Sequence, residues 1–195
     1  MSLDPRRAGR LTASMVGAAI GVNKFCSRQK AWRLAVGQEV FEGNEMTAWG
    51  NDHESEACKQ YEVETGEIVK ESLDNQRFYV FEDWLGATPD GKTSDFLIEF
   101  KCPYSQKIPD EVPDHYMAQI QVGMQLVGMD ACHLVYWTPQ EFLIFNVERD
   151  VKYYEQILPL MKDFYGDMQK EEPPKRQKKP KLLKPRQEII LNERN

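Results

Sequence analysis

The stretch that decides the fold is Gly86-Ala-Thr-Pro-Asp-Gly91, followed after three residues by Asp95-Phe-Leu-Ile-Glu-Phe-Lys-Cys102. The second segment is typical of a β-strand, in which successive side chains point to opposite faces. Glu99 and Lys101 therefore share a face, with Cα atoms roughly 7 Å apart. Asp90 lies nine residues before Glu99, at the expected turn into this strand, so a β-hairpin can bring it beside Glu99. The pattern predicts two carboxylates and an amine at the edge of an apolar sheet.

This set of side chains points to metal-assisted chemistry. Two neighbouring carboxylates repel each other, and the pKa of one of them rises unless a cation lies between them. Hard oxygen ligands suit Mg²⁺, and also Mn²⁺. The amine of Lys101 can orient a water and help to deprotonate it, which favours phosphodiester hydrolysis. The alternative is an ordinary exposed ion pair between Glu99 and Lys101 on an edge strand.

The periodicity of the remaining chain predicts an α/β fold with a mixed sheet and helices on both of its faces. Expected helices cover residues 12–22, 27–37, 45–65, 116–129 and 151–168. Expected strands cover residues 68–72, 77–81, 95–102, 133–138 and 142–147. Capping by Ser27 and termination at Gly66 are predicted for the second and third helices. Pro159 is expected to kink or restart the last helix.

Composition excludes several classes of protein. The chain is 41% hydrophobic and 29% charged over 195 residues, which is too apolar for a disordered chain. No stretch approaches the ~20 apolar residues that span a bilayer, so we expect no membrane association and a cytoplasmic location. The four cysteines show no paired spacing and predict reduced thiols rather than disulfides or an iron–sulfur cluster. The three histidines lack zinc-ligand spacing, and neither a P-loop nor a G-x-S-x-G motif is present.

The charge distribution divides the chain into two parts. Residues 1–169 carry 16 Lys and Arg against 27 Asp and Glu, whereas residues 170–195 carry 9 against 4. We therefore expect one domain over 1–169, followed by a basic, Pro-rich, flexible tail that can be removed after Lys170 without loss of the fold. The tail is either a solubility feature or a contact with a polyanion or an acidic partner.

For several further polar residues, the sequence allows two interpretations. Glu54 shares a helical stripe with small and apolar residues, where a carboxylate needs a partner, but it also belongs to an ordinary acidic run. Gln119 lies on a helix with Gln121 and Gln125, and spacing does not decide which glutamine faces the site. Free N–H groups, the Ser14 hydroxyl and a neighbouring arginine can bind a phosphate at the start of the first helix; a simple helix cap is the alternative.

At these residues a resemblance becomes visible. Pro89-Asp90 and Glu99-x-Lys101 resemble the PD-(D/E)xK nuclease signature, and more closely the phage lambda exonuclease, or YqaJ-type viral recombinase, family. Four further segments resemble this family in its own order: Arg7-x-Gly9-x-x-Thr12-Ala13-Ser14, Trp49-Gly50-Asn51-x-x-Glu54, Glu99-Phe-Lys-Cys-Pro103 and Tyr116-Met-Ala-Gln119-x-Gln121. The resemblance covers residues 7–150 and fades in the basic tail. It implies a restriction-endonuclease-like core, with a central mixed β-sheet flanked by helices.

The resemblance also implies a role for each matching residue. Asp90 and Glu99 would ligate Mg²⁺, for which Mn²⁺ substitutes, together with the backbone carbonyl of Phe100. Lys101 would position the attacking water. Glu54 would add a further acid at the metal site, directly or through a water.

The implied roles extend to groups around the metal site. Gln119 would support Lys101 or the nucleophile, and Arg7 and Ser14 would hold the 5′-phosphate of the degraded strand. The family's apolar wedge, which splits the duplex, falls near Met46 and Thr47; the polar Thr47 departs from the family pattern.

The resemblance implies a Mg²⁺-dependent 5′→3′ exonuclease that acts on double-stranded DNA ends and releases 5′-mononucleotides. It further implies a ring-shaped homotrimer in a phage or prophage recombination pathway, inside a bacterial host cell. The resulting 3′ overhang would pass to a single-strand annealing protein. Two alternatives remain open from the residues alone. One is a structure-selective or site-specific endonuclease on the same core, and the other is a catalytically silent module that binds DNA ends or a partner.

Overall fold

The chain folds as a mixed α/β protein in the computed structural model, which describes residues 5–194. The helices are α1 (Ala13–Ala19), α2 (Arg28–Ala35), α3 (Glu45–Thr65), α4 (Asp114–Val127) and α5 (Val151–Met168). The strands are β1 (Leu11–Thr12), β2 (Tyr79–Phe81), β3 (Leu85–Ala87), β4 (Gly91–Lys92), β5 (Phe96–Lys101), β6 (Ala131–Trp137), β7 (Glu141–Glu148) and β8 (Gln187–Arg194). Short 3-10 turns cover Pro5–Arg7 and Leu73–Asn75.

The central sheet is mixed, as the sequence predicts. Its strand order is β4-β5-β6-β7-β8. The pair β5 and β6 is parallel and is connected through α4, whereas the other three neighbouring pairs are antiparallel. A second, three-stranded sheet of order β1-β3-β2 lies ahead of β4 in the chain. Its strands β1 and β3, of two and three residues, were not expected from the periodicity.

Helices cover both faces of β5, because its apolar side chains alternate. Leu97 belongs to the larger core cluster, on the side where α4 packs so closely that a Cβ at Gly123 would lie 2.9 Å from the Leu97 side chain. Ile98 and Phe100 belong to the second cluster, which contains Tyr61 of α3. The two faces therefore have separate cores, and Glu99 and Lys101 lie on the same face of β5 as Leu97.

The predicted helix ends are confirmed where the sequence offers a specific cap. The Ser27 side chain accepts a hydrogen bond from the Lys30 N–H at the start of α2. Gly66 ends α3 with φ 73°, in the left-handed region that a glycine adopts without steric cost. Thr12 precedes α1, but its side chain caps no N–H group of that helix.

Helix α5 continues through Pro159, so the expected restart is wrong. A proline removes one hydrogen bond from a helix, but Ile157, Met161 and Phe164 are fully buried on either side of it. Their packing holds the helix together across the missing bond. No helix within residues 5–194 is both long and apolar enough to cross a membrane.

The expected strand over residues 68–72 is wrong. Only Lys70 forms a β-bridge there, with Lys92. Glu71 and Leu73 have φ values of 54° and 53°, a left-handed conformation that breaks an extended strand. The next expected strand, over 77–81, is confirmed in a shorter form as β2.

The expectation of a flexible tail is wrong for residues 187–194. These residues form β8, which pairs antiparallel with β7 along its whole length and includes a bulge opposite Ile144 and Phe145. The side chain of Leu191 packs against the second core cluster. The last strand therefore completes the central sheet, so removal of the chain after Lys170 is no longer expected to spare the fold.

Candidate active site

Asp90 and β5 meet at the open edge of the central sheet. Gly91 pairs with Ile98, so Asp90, one residue earlier, comes opposite Glu99. The turn of this hairpin is formed by residues 93–95, not by the Pro-Asp-Gly segment. Gly91 is required at its position, because a Cβ there would lie 2.4 Å from the Val69 side chain.

The same edge exposes the backbone of Phe100. Its N–H donates a hydrogen bond of 2.8 Å to Asp90 Oδ2. The N–H and C=O of one residue in a strand point to the same side, and β4 begins only at Gly91, opposite Ile98. The Phe100 carbonyl therefore faces the same edge as the Asp90 carboxylate.

Glu99 is held by two donors at one of its oxygens. Lys101 Nζ lies 2.6 Å from Glu99 Oε1, and the side-chain amide of Gln119 donates to the same atom. The Glu99 side chain is almost fully buried. Gln119 comes from α4, which lies close to β5 because of Gly123.

The choice between the glutamines of α4 is thus decided by the geometry. Gln119 faces the site, whereas Gln121 is fully buried elsewhere. The Gln121 side chain donates to the Glu148 carbonyl and accepts from the Asp150 N–H. Gln125 lies near Arg149, at 3.5 Å.

Lys101 lies between an acidic and an aromatic neighbour. Its Nζ is 4.9 Å from the centre of the Tyr116 ring, on the ring face, a cation–π arrangement. Burial alone would lower the pKa of Lys101, but the carboxylates of Glu99 and Asp90 raise it above its ordinary value. Lys101 is therefore an ammonium with a fixed position.

The carboxylates of the site show the mutual repulsion that the sequence predicts. Burial raises the pKa of Asp90 well above its ordinary value, and the neighbouring Glu99 raises it further. Burial also raises the pKa of Glu54; there Lys101 opposes the shift and Glu99 adds to it. The three acids and Lys101 therefore form one electrostatic unit.

Glu54 reaches this unit from the other side of the sheet. It belongs to α3, which starts with Asn44 accepting a hydrogen bond from the Thr47 N–H. Gln76 donates to Glu54 Oε1 at 3.4 Å. Glu54 is thus at the site rather than on a solvated acidic face.

The donor atoms at this edge fit Mg²⁺. Within residues 5–194 no three His, Cys, Asp or Glu side chains are placed to hold a metal ion by themselves. Mg²⁺ takes one or two carboxylates and keeps several waters. The oxygens of Asp90 and Glu99, with the Phe100 carbonyl, match that demand. A cation between the carboxylates would offset the burial of Asp90 and the repulsion from Glu99, which together raise the pKa of Asp90.

Asp90, Glu99, Lys101 and Gln119 line one cleft of about 480 Å³, whereas Glu54 and Phe100 do not line it. The predicted phosphate residues Arg7 and Ser14 line it as well, as does Thr47. The Arg7 guanidinium donates to the Thr88 hydroxyl at 2.9 Å. The hydroxyl groups of Thr12 and Ser14 lie 3.3 Å apart, and the Thr12 side chain forms no cap hydrogen bond with α1.

Met46 is apart from the other predicted residues. It is 60% exposed on the first turn of α3 and does not line the cleft. Three lining residues were missed by sequence reasoning: Asn51, Gln76 and Thr88. Thr88 lies two residues before Asp90, in the segment Gly86–Gly91, and Asn51 directly follows Trp49-Gly50. Both therefore belong to segments that the sequence had already singled out. Gln76 carries no sequence signal, because a loop brings it to Glu54.

The histidines lie outside this cleft. His53 stacks between Trp49 and Trp137, with ring centres 3.8 and 5.2 Å away. His133 is buried and bonded to the Tyr61 hydroxyl at 2.7 Å, and burial lowers its pKa to about 4. The four cysteines are free thiols.

Comparison with known proteins identifies the family of this chain. The model of the YqaJ-like viral recombinase domain matches residues 4–130, well over half of the chain. The chain belongs to this family. The resemblance seen in the sequence is thereby confirmed, and the nuclease segments lie within the matched region. A search of curated proteins gave no match to this YqaJ-like chain.

Solved structures agree with the assignment. LHK-Exo, an alkaline exonuclease from Laribacter hongkongensis, is 27% identical to the YqaJ-like chain, with a TM-score of 0.67. A second LHK-Exo structure, in complex with dAMP, is also 27% identical, with a TM-score of 0.68. Both cover 83% of this chain and 89% of their own. A phage-related exonuclease from Haemophilus somnus 129PT, 17% identical, covers 82% of this chain and 92% of its own; with a TM-score of 0.63 it shares the fold.

Proposed function

We propose that this YqaJ-like domain is a Mg²⁺-dependent exonuclease that digests linear double-stranded DNA in the 5′→3′ direction. The observation that carries the proposal is the convergence of Asp90, Glu99 and Lys101 in one cleft. The relatives with solved structures are described as exonucleases, and one of them binds dAMP, a nucleoside monophosphate. That ligand is consistent with 5′-mononucleotides as the product here.

Asp90, Glu99 and the Phe100 carbonyl would hold Mg²⁺, or Mn²⁺ in its place, with Glu54 as a further acid, directly or through a water. When bound, the ion supplies Lewis-acid stabilisation of the negative charge that develops on the phosphate. The protein keeps the oxygen ligands in place beforehand. The Phe100 N–H fixes one carboxylate, and Gln119 fixes the other.

Lys101 would orient the attacking water. Its ammonium is held by the Glu99 carboxylate and the Tyr116 ring, so its remaining N–H donors have a defined direction. A positioned nucleophile needs less ordering at the moment of reaction. Gln119 supports this arrangement through Glu99 rather than by contact with the DNA.

The polarity of digestion would come from the other end of the cleft. Arg7 and Ser14, with the Thr12 and Thr88 hydroxyl groups beside them, offer one guanidinium and three hydroxyl groups within the same cleft as Asp90. Such a set suits a terminal phosphate. A 5′-phosphate held there would place the first phosphodiester at the metal site.

The biological setting is proposed from the family. The enzyme would act as a homotrimeric ring on DNA ends in the cytoplasm of a bacterial host. It would leave a 3′ overhang for a single-strand annealing protein during phage-type recombination. Met46, exposed on the first turn of α3, is the remaining apolar candidate for a duplex wedge, while Thr47 lines the cleft beside its cap Asn44.

The test uses a linear duplex labelled at either the 5′ or the 3′ terminus, with and without a 5′-phosphate, together with a closed circular duplex. We expect mononucleotides from the 5′-labelled end of the linear duplex, no cleavage of the circle, and no reaction in EDTA. Cleavage of the circle would identify an endonuclease instead. Binding to ends without any digestion in Mg²⁺ or Mn²⁺ would identify a silent DNA-end module.

A further inference from the structure

The basic segment before β8 is an ordered strap on the surface of the domain. This strap, residues 173–186, has no helix or strand. It is anchored at both ends by buried prolines, Pro174 and Pro185. The Gln29 side chain donates to the Pro174 carbonyl at 3.2 Å. The strap therefore follows one fixed path between α5 and β8.

Its central part is held by polar contacts that repeat along the segment. Lys179 pairs with Asp114 at 2.7 Å, at the start of the helix that also carries Tyr116 and Gln119. The Leu183 N–H donates to the Gln156 side chain of α5 at 3.0 Å. Lys184 pairs with Glu111 at 3.2 Å. These contacts use two of the lysines to attach the strap.

Further contacts hold the C-terminal half of the strap to the domain. Lys179 forms its ion pair, Leu182 packs against the larger core cluster, and Pro185 is buried. The strap is therefore attached along its length, from the Gln29 contact at Pro174 to the buried Pro185.

Four further cations of the strap, called here the outward row, are exposed: Lys175, Arg176, Lys178 and Lys181. Within the part of the chain that the structure describes, none of these four side chains forms an ion pair or a hydrogen bond. At about 3.1 Å per residue, the row from Lys175 to Lys181 is roughly 19 Å long. These four unpaired cations contrast in charge with the part of the chain that precedes the strap, because residues 1–169 carry a net charge of −11.

We propose that the outward row of the strap is a binding strip for the phosphate backbone of double-stranded DNA, separate from the catalytic cleft. The choice of DNA as the polyanion rests on the proposed nuclease function. A duplex presents one charge per about 1.7 Å of its axis, so a row of roughly 19 Å faces phosphates over five or six base pairs. None of the strap residues lines the cleft, so the strip grips duplex away from the bond that is cut.

A fixed row suits this task better than a flexible tail. Each lysine is already confined to one region of the surface, so less backbone freedom is lost when DNA binds. The contacts are to phosphates alone and are independent of base sequence, which an enzyme that moves along any duplex requires. The strip is also expected to make binding strongly dependent on salt.

The experiment measures binding of a fluorescent 30-base-pair duplex in EDTA over a series of salt concentrations. The strip variant is Lys178→Gln/Lys181→Gln in the full chain. The matched control is Lys59→Gln/Lys152→Gln, which removes two exposed lysines from α3 and α5. We expect the slope of log K against log salt to fall by about 2 for the strip variant, and binding near 0.15 M salt to weaken about tenfold or more. The control should retain the slope of the parent.

Equal slopes for the strip variant and the control would overturn the proposal and leave an acidic protein as the partner of the strap. Thermal melting of both variants serves as the check on folding, because all four positions are exposed. Digestion of linear duplex by the parent in Mg²⁺ is measured in parallel. If the parent fails to digest DNA but its salt slope still depends on the strip, the proposed nuclease function fails and the strip stands.

Discussion

Gln119 and Gln121 lie two residues apart on α4 and have different tasks. Gln119 donates to Glu99 at the site, whereas Gln121 bridges the Glu148 carbonyl and the Asp150 N–H. We predict that Gln119→Leu lowers the rate of DNA digestion about 10–100-fold, the usual effect of losing a residue that orients a metal ligand, with an unchanged melting temperature. Digestion rates and thermal melting measure the two effects.

The matched variant Gln121→Leu should show the opposite pattern. It leaves two part-buried backbone groups, the Glu148 C=O and the Asp150 N–H, without this partner, which costs up to about 1–3 kcal/mol for each group. We expect a lower melting temperature and a near-normal rate at temperatures where the variant is folded. Loss of activity in Gln121→Leu but not in Gln119→Leu would contradict the placement of α4.

The raised pKa of Asp90 makes the stability of the metal-free protein depend on pH. A carboxyl group whose pKa is higher in the folded than in the unfolded state favours folding when protonated. The contribution of the Asp90 carboxyl group to the stability of the folded state is complete below its ordinary pKa of 3.8. This contribution is lost as the pH rises through the higher pKa of the folded state. Asp90→Asn keeps an acceptor for the Phe100 N–H and removes the charge.

We therefore predict that Asp90→Asn gains unfolding free energy relative to the parent as the pH rises from 4 to 8 in EDTA. The gain is about 1.4 kcal/mol for each unit by which the pKa is raised. Urea unfolding at several pH values measures it, with the exposed Asp95→Asn as the control. A constant difference between Asp90→Asn and the parent across this range would show that Asp90 is not in a crowded, buried site.

At the level of elements, β8 decides whether the C-terminal part belongs to the fold. Leu191 packs against the second core cluster, whereas Ile190 is the extra residue of the bulge and is 45% exposed. We predict that Leu191→Ala costs about 1–3 kcal/mol of unfolding free energy and Ile190→Ala less than about 0.5. Chemical denaturation compares the two. Equal, small effects would mean that β8 adds nothing to the sheet.

The elements also show what sequence patterns can predict. Apolar alternation and capping residues located α2, α3 and the motif strand β5, because those signals are local. The stretch 68–72 looked equally like a strand, but the left-handed backbone of Glu71 breaks it. The sequence pattern did not predict β8, because this strand follows a Pro-rich basic segment. Its pairing with β7 is a long-range contact, which a local periodicity does not reveal.

The same distinction between local sequence signals and long-range contacts applies to the site residues. Asp90, Glu99 and Lys101 could be placed together because one hairpin carries all three. The choice of Gln119 over Gln121 needed the position of α4 against Leu97, and the approach of Gln76 to Glu54 depends on a loop. Sequence therefore yields the chemistry of the site, while the groups that orient it depend on tertiary packing.

For the whole molecule, the proposed ring predicts a defined mass in solution. One chain has a mass of 22.7 kDa, so light scattering of the pure protein should give three times that value. Lys178→Gln/Lys181→Gln should give the same mass, since the strip is proposed to face DNA rather than another copy. A mass of one chain at micromolar concentration would contradict the ring, without bearing on catalysis.

The most direct test of the account is the rate of mononucleotide release from linear duplex by Lys101→Ala in Mg²⁺. The matched control is Lys92→Ala, which removes a lysine that pairs with Glu71 outside the cleft. We predict at least about a 100-fold lower rate for Lys101→Ala, the usual cost of losing a group that positions or transfers a proton, and a near-parental rate for Lys92→Ala. Digestion by Lys101→Ala at the rate of the parent would contradict the assignment of Asp90, Glu99 and Lys101 as the catalytic centre.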